Sequence, residues 1–380
     1  MNWTQALARL FALFGFILIV WTTSDQIFNL AVPAPASIHA KEITQSVKGP
    51  NTPALNIPSQ PSEEDDLFAN FSSRWPAEAI YLEGVRICID PGHGGQAHRL
   101  NFKRGPTGFR EAVANLRVSL FLRDLLQKAG ARVTLTRDRD VDLSLAKRAQ
   151  IANETSELFL SIHHNASSNP SRNYTSVWYH ADLEHRPAAI DLGSHILTSL
   201  INHLGLSPTP LLSTGLLSDY LIYPGKGFGV LRHLRIPGVL SESSFHSNPE
   251  EEKRLANLQY NKREAWGLFL GLVSYVAEGR PKAKLLRADR KQAVFSIDDG
   301  LIARGGWGSK PVRLFHSLTR VESQRPDGTW IPTPFRIDLK TARLICLFSE
   351  DIHPRPNRLR ITIVNMHKHH NFPRIFELDP

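Results

Sequence analysis

Four short, widely separated stretches of this 380-residue chain carry side chains of the types that can hold zinc and move protons. They are Asp90-Pro91-Gly92-His93-Gly94-Gly95; Glu111 with Asn115; Ser161-Ile162-His163-His164-Asn165-Ala166; and Ser241-Glu242-Ser243-Ser244-Phe245-His246-Ser247-Asn248-Pro249. Two imidazoles and one carboxylate leave zinc an open coordination position, which is what a metal needs to hydrolyse anything. A second Glu beside such a set is the natural proton carrier.

Such groups must be held apart by a rigid frame. Residues 85–90 read as a strand running into a glycine-rich turn, where the missing Cβ atoms let the backbone bend tightly around His93. Leu116, Leu120, Leu122, Leu125 and Leu126 fall at helical spacing over 111–129, and Gly130 ends that pattern. Strands are predicted at 132–136, 157–163, 176–179 and 238–242, and helices at 144–152, 190–204 and 262–278. This rhythm implies an α/β fold: a mainly parallel, twisted sheet with helices on both faces. Such sheets deliver functional groups at the carboxyl ends of their strands, where His93, His163 and Glu242 all fall. His164 neighbours His163 on a strand, so the two rings point to opposite faces and His164 is not expected to share the metal.

Taken together and in order, these stretches resemble the zinc-dependent N-acetylmuramoyl-L-alanine amidases, the type 3 cell-wall amidases. The resemblance spans roughly 85–277. It includes Asp90 to Gly95, the Glu-x-x-x-Asn of Glu111 and Asn115, the Ser-Ile-His of 161–163, and Glu242 to Glu250. Thr136-Arg137-Asp138 and the stretch from Arg148 to Asn153 agree as well. Ser244 stands where the family usually has glycine. The resemblance implies one zinc per catalytic domain, held by His93, Glu111 and His163. It implies a zinc-activated water as nucleophile, Glu242 as general base and acid, and peptidoglycan as substrate. The bond cut is the amide between N-acetylmuramic acid and L-alanine, in wall remodelling or daughter-cell separation. Asp90, Asn115, Asn165 and His246 are expected to support the ligands or line the groove. Two rival readings are a non-catalytic peptidoglycan-binding or activator protein, and a zinc peptidase or deacetylase acting on another bond of the wall.

The remaining chain sets the context. Arg9 precedes an apolar run, 10–21, that suits a signal peptide and falls short of the ~20 residues of a spanning helix. Residues 1–40 are therefore expected to be a signal peptide or an N-terminal membrane anchor. Either places the rest in the periplasm, the cell envelope or outside the cell. Pro50, Pro53, Pro58 and Pro61, with the acidic run 63–66, make 41–78 a linker. The catalytic domain is expected over 79–281. After it, short strands are predicted at 294–297, 311–315, 335–339, 343–348 and 359–364. They are separated by turn residues, so 282–380 is expected to be a small β-sandwich-like domain. From 283 to 380 there are 17 Lys/Arg against 10 Asp/Glu, a charge suited to anionic wall polymer. No nucleic-acid motif accompanies it, so a nucleic-acid partner is not expected. A partner protein that activates the enzyme is left open. The run Met366-His367-Lys368-His369-His370 reads as a solvated edge or loop, since no carboxylate or Cys spacing accompanies it. Cys88 and Cys346 read as two buried thiols.

Overall fold

The structure, a computed structural model, describes residues 75–95, 98–99, 102–212, 214–301, 313–349 and 355–378. The expected leader and most of the linker, 1–74, lie outside the described residues, as does the start of the strand expected at 311–315.

Strand β1 (Arg86–Pro91) leads to helix α1 (Glu111–Lys128), β2 (Arg132–Leu135), α2 (Leu145–Thr155), β3 (Leu158–Asn165) and β4 (Ser176–Tyr179). There follow α3 (Arg186–Leu204), β5 (Leu216–Ser218), the single turn α4 (Gly229–Arg232), β6 (Gly238–Phe245), α5 (Pro249–Ala256) and α6 (Leu258–Ala277). Helices α2, α5 and α6 start where side chains satisfy their free N–H groups. Ser144 accepts from the Lys147 N–H, Asn248 from Glu250 and Glu251, and Asn257 from Gln259 and Tyr260. The six strands lie in the order β2-β1-β3-β6-β4-β5. Pairings β2/β1, β1/β3, β3/β6 and β4/β5 are parallel, while β4 runs antiparallel to β6. Helices cover the sheet. β6 is buried along its whole length, and β3 is buried at all but His163 and Asn165. The mainly parallel α/β sheet expected from the sequence is present. The reversed strand β4 was not foreseen, because a short apolar strand carries no sign of its direction.

After α6 the architecture changes to antiparallel strands: β7 (Lys282–Ala288), β8 (Gln292–Asp298), β9 (Arg320–Gln324), β10 (Trp330–Pro332), β11 (Phe335–Asp338), β12 (Arg343–Leu347), β13 (Arg358–Thr362) and β14 (Ile375–Glu377). They form two sheets, β10-β9-β13-β14 and β11-β12-β8-β7. Phe295, Leu344 and Cys346 of one pack with Val321, Leu359 and Ile361 of the other, so the two faces share one apolar core. Cys88 and Cys346 are buried free thiols. Residues 76–380 belong to one compact unit. Within it the antiparallel strands and their loops bond to α3, the loop before it and the end of α6. Arg360 pairs with Glu184 at 3.2 Å, the His370 N–H donates to Asp191 at 2.7 Å, and Asn365 Nδ2 donates to Glu278 O at 2.8 Å. Among the described residues, no helix is long and apolar enough to cross a membrane.

Candidate active site

The turn after β1 has three successive residues at positive φ. His93, Gly94 and Gly95 follow one another with φ of 56°, 123° and 68°. For a non-glycine residue such as His93 this conformation costs roughly 1–2 kcal/mol. Two buried guanidinium groups hold it. Arg148 donates to His93 O and Pro91 O, each at 2.8 Å. Arg137 donates to Pro91 O at 2.8 Å and to Gly92 O at 2.7 Å. Charge-assisted bonds of this kind contribute about 1.5–3 kcal/mol each, enough to outweigh the strain. Asp90 anchors the clamp, accepting from Arg148 at 2.7 Å, from Ser161 at 2.7 Å and from Thr136. Burial alone would raise the Asp90 carboxyl, but Arg148, Thr136 and Ser161 outweigh that and lower it.

That turn delivers His93 to the first residue of α1. His93 Nε2 lies 3.1 Å from Glu111 Oε2, and His163 Nδ1, near the carboxyl end of β3, lies 3.1 Å from Glu111 Oε1. Burial alone would raise Glu111, but the His93 and His163 rings outweigh it and hold the carboxyl well below its usual range. Burial also pushes His163 down to about 4, so its ring is neutral in neutral solution and keeps a lone pair to offer. Gly92 makes the approach possible. A Cβ there would stand 2.2 Å from His163 Cε1, inside any contact distance. Gly92→Ala is therefore expected to displace His163 and weaken metal affinity at least about tenfold, as lost support of a ligand does. Zinc titration with a competing chelator reads this, and unchanged affinity would mean that the close contact is unimportant.

Behind the cluster, the alternation of β3 turns His164 to the opposite face. Its Nε2 donates to Glu264 Oε2 at 3.0 Å and its Nδ1 donates to Asn115 Oδ1 at 2.8 Å. Burial alone would lower this ring, but Glu264 outweighs it and raises it, in keeping with an imidazolium that donates from both nitrogens. Asn115 then turns its amide nitrogen to Gly92 O and Glu111 Oε1, both at 3.2 Å. A chain of bonds thus runs from Glu264 on α6 to the Glu111 carboxylate. Both members of the His164–Glu264 pair are fully buried. Glu264→Ala leaves the imidazolium uncompensated and is expected to cost about 3–5 kcal/mol of stability. A denaturant midpoint close to the parent's would count against the pair.

Glu242 stands directly across the β3/β6 register from His163. It is buried, and its Oε2 has no hydrogen-bond partner. Burial first, and the Glu111 carboxylate second, push its carboxyl well above the usual value. His246, also buried, has no hydrogen-bond partner at either ring nitrogen, and its Nε2 is 3.6 Å from Glu111 Oε2. Burial pushes its ring down to about 4. Asn165 Oδ1 accepts from the Ala166 N–H at 2.8 Å, shaping the turn after β3, and its carbonyl accepts from the His246 N–H at 2.9 Å. Sequence reading passed over Glu252, which is buried on α5 and accepts from the Thr107 and Phe109 N–H groups at 2.8–3.0 Å. It fixes the loop that leads into Glu111.

The donor chemistry fits zinc. The ligand atoms of His93, Glu111 and His163 all lie within 4.8 Å of one another. One carboxylate is ionised, one imidazole is held neutral, and the unpaired Glu242 Oε2 is buried close by.

The α/β sheet thus gathers a metal-type donor cluster and a spare buried carboxylate at its strand ends. Residues 87–274 match the family model described as N-acetylmuramoyl-L-alanine amidase. The chain is 30% identical over 247 residues to a probable N-acetylmuramoyl-L-alanine amidase, AmiB, of Haemophilus influenzae, a match covering 55% of each chain. The chain thus spans about half the length of that relative. It is 29% identical over 231 residues to the germination-specific N-acetylmuramoyl-L-alanine amidase of Bacillus subtilis, covering 56% of this chain and 87% of that one. Among solved structures, the amidase AmiC2 of Nostoc punctiforme matches at 26% identity and a TM-score of 0.43, over 51% of this chain and 98% of that one.

Proposed function

We propose that this chain hydrolyses the amide bond between N-acetylmuramic acid and L-alanine in peptidoglycan, in wall remodelling or daughter-cell separation. The observation that carries the reading is the convergence of His93, Glu111 and His163 beside the unpaired Oε2 of Glu242, within a segment that matches the amidase family model. His93, Glu111 and His163 would hold one zinc ion. Such an ion supplies Lewis acidity, lowering the pKa of water and polarising a carbonyl. Glu242 takes the proton of the attacking water and passes it to the nitrogen of L-alanine, which leaves poorly as an anion. Its raised affinity for protons suits both halves of that transfer. The uncommitted nitrogens of His246 are placed to bond the substrate amide or its developing charge.

On this reading the enzyme works in the periplasm, the envelope or outside the cell, exported or anchored by 1–40. Residues 79–281 carry catalysis, and the basic 282–380 segment positions the enzyme against anionic wall polymer. An activating partner protein is compatible with this arrangement. The test is incubation of the purified protein with isolated sacculi, with and without a chelator, and mass spectrometry of the soluble products. The expected products are intact stem peptides beginning with L-alanine, lost on chelation and restored by zinc. Peptides trimmed within the stem, or acetate, would replace the amidase reading with a peptidase or a deacetylase. No release from zinc-loaded protein, alone or with envelope extract, would favour a binding protein.

A further inference from the structure

A second cluster of metal-type donors lies outside the active site. His195 on α3, Glu278 at the end of α6 and His369 in the loop between β13 and β14 bring three donor atoms together. His195 Nε2 is 3.0 Å from His369 Nε2, and each is 3.3 Å from Glu278 Oε2. This is a nearly equilateral triangle. Donors around a tetrahedral zinc with 2.0–2.1 Å bonds are separated by roughly 3.3 Å. The distances from the active-site imidazoles to Glu111 are 3.1 Å.

The outer nitrogens decide which way the lone pairs point. His369 Nδ1 is 2.8 Å from Gly279 O, which can only accept, so Nδ1 carries the proton and Nε2 of the neutral ring is bare. His195 Nδ1 is 2.9 Å from Ser274 Oγ, a partner that can accept its proton and leave Nε2 bare as well. Carbonyl and hydroxyl partners behind metal-binding imidazoles fix their orientation in this way. The rings are held from other sides too. His369 is buried and stacks on Tyr275, centroids 5.1 Å apart, and its turn is tied down by Asn365, which bonds Glu278 O and Asp299 O. Two bare imidazole nitrogens 3.0 Å apart repel unless a proton or a cation lies between them.

We propose that His195, Glu278 and His369 form a second, non-catalytic site for a divalent transition cation, zinc in the first instance. Two imidazoles and one carboxylate suit that class and not calcium or magnesium. Glu278 is half-exposed, which leaves the remaining coordination position towards solvent. The ligands come from two helices that pack on the sheet and from a loop of the C-terminal antiparallel strands, so the cation ties 282–380 to the first sheet.

The test uses the whole chain and reads metal, not turnover. Metal-free His93→Ala protein, its active-site cluster disabled, is titrated with Co²⁺. The expected result is visible d–d absorption saturating at about one equivalent, abolished by adding Glu278→Gln or His369→Gln. Glu278→Gln keeps the shape of a half-exposed side chain, so its loss of signal is not a failure to fold. Chelation of the parent protein should also increase protease cleavage after residue 282. Absence of the cobalt spectrum in the His93→Ala protein, or its survival in both double variants, overturns the proposal and leaves a proton-sharing clamp. Neither outcome bears on the amidase reading.

Discussion

Replacing Glu242 with Gln is expected to leave zinc content and fold intact while lowering turnover of sacculi about 10²- to 10⁴-fold, the usual contribution of a positioned acid–base group. Gln matches Glu in shape, and Glu242 Oε2 has no hydrogen bond to lose. What disappears is the ability to take a proton from water and give it to the leaving amine. The substitution should not destabilise the metal-free protein. Burial and Glu111 hold the Glu242 carboxyl above its unfolded value, so whatever stability it lends is present at low pH and lost as pH rises through its folded pKa. The gain of Gln over Glu therefore grows from the ordinary carboxylate range upwards. Full turnover in Glu242→Gln would remove Glu242 from the reaction.

His93→Ala is expected to lose about one equivalent of zinc per chain together with all measurable activity, since a catalytic zinc is held by only three protein ligands. The position has a second burden, its left-handed backbone. Asn tolerates that conformation better than Ala, so His93→Asn separates the two effects. Both variants should lack the active-site zinc and activity, with Asn the more stable by a few tenths to about 1 kcal/mol. Metal analysis and thermal melting report the two quantities. If either variant keeps parental zinc and turnover, His93 is not a ligand.

How much of this was legible in the chain depends on how far apart the cooperating residues lie. The sheet could be read because β3 and β6 are apolar runs that end in polar groups. The opposite roles of His163 and His164 follow from strand alternation alone. Asp90, Glu111 and Asn115 belong to motifs whose order along the chain pointed to one site, and the structure brings them together there. Asn165 shares such a motif, and it bonds both its own turn and the His246 backbone. Glu252 was passed over because its partners are backbone N–H groups more than a hundred residues away. The histidine run near the C-terminus was read as a solvated loop. His369 is instead buried against His195 and Glu278, partners that only tertiary docking supplies. Strands β7 and β9 escaped notice because their charge-rich sequences look like connecting loops, and β10 and β14 because three residues are too few to show an alternation.

The two halves of the active site rest on backbone of unequal tenacity. β6 is buried at every residue and paired on both sides, so its amides exchange with solvent only when the whole sheet opens. The turn carrying His93 hangs from guanidinium contacts beyond the end of β1. On warming, the turn carrying His93 is expected to loosen first, while the Glu242 carboxylate keeps its place until the protein melts. Mild heat should therefore produce an inactive, still folded protein that has shed its metal, and cooling with added zinc should bring the activity back.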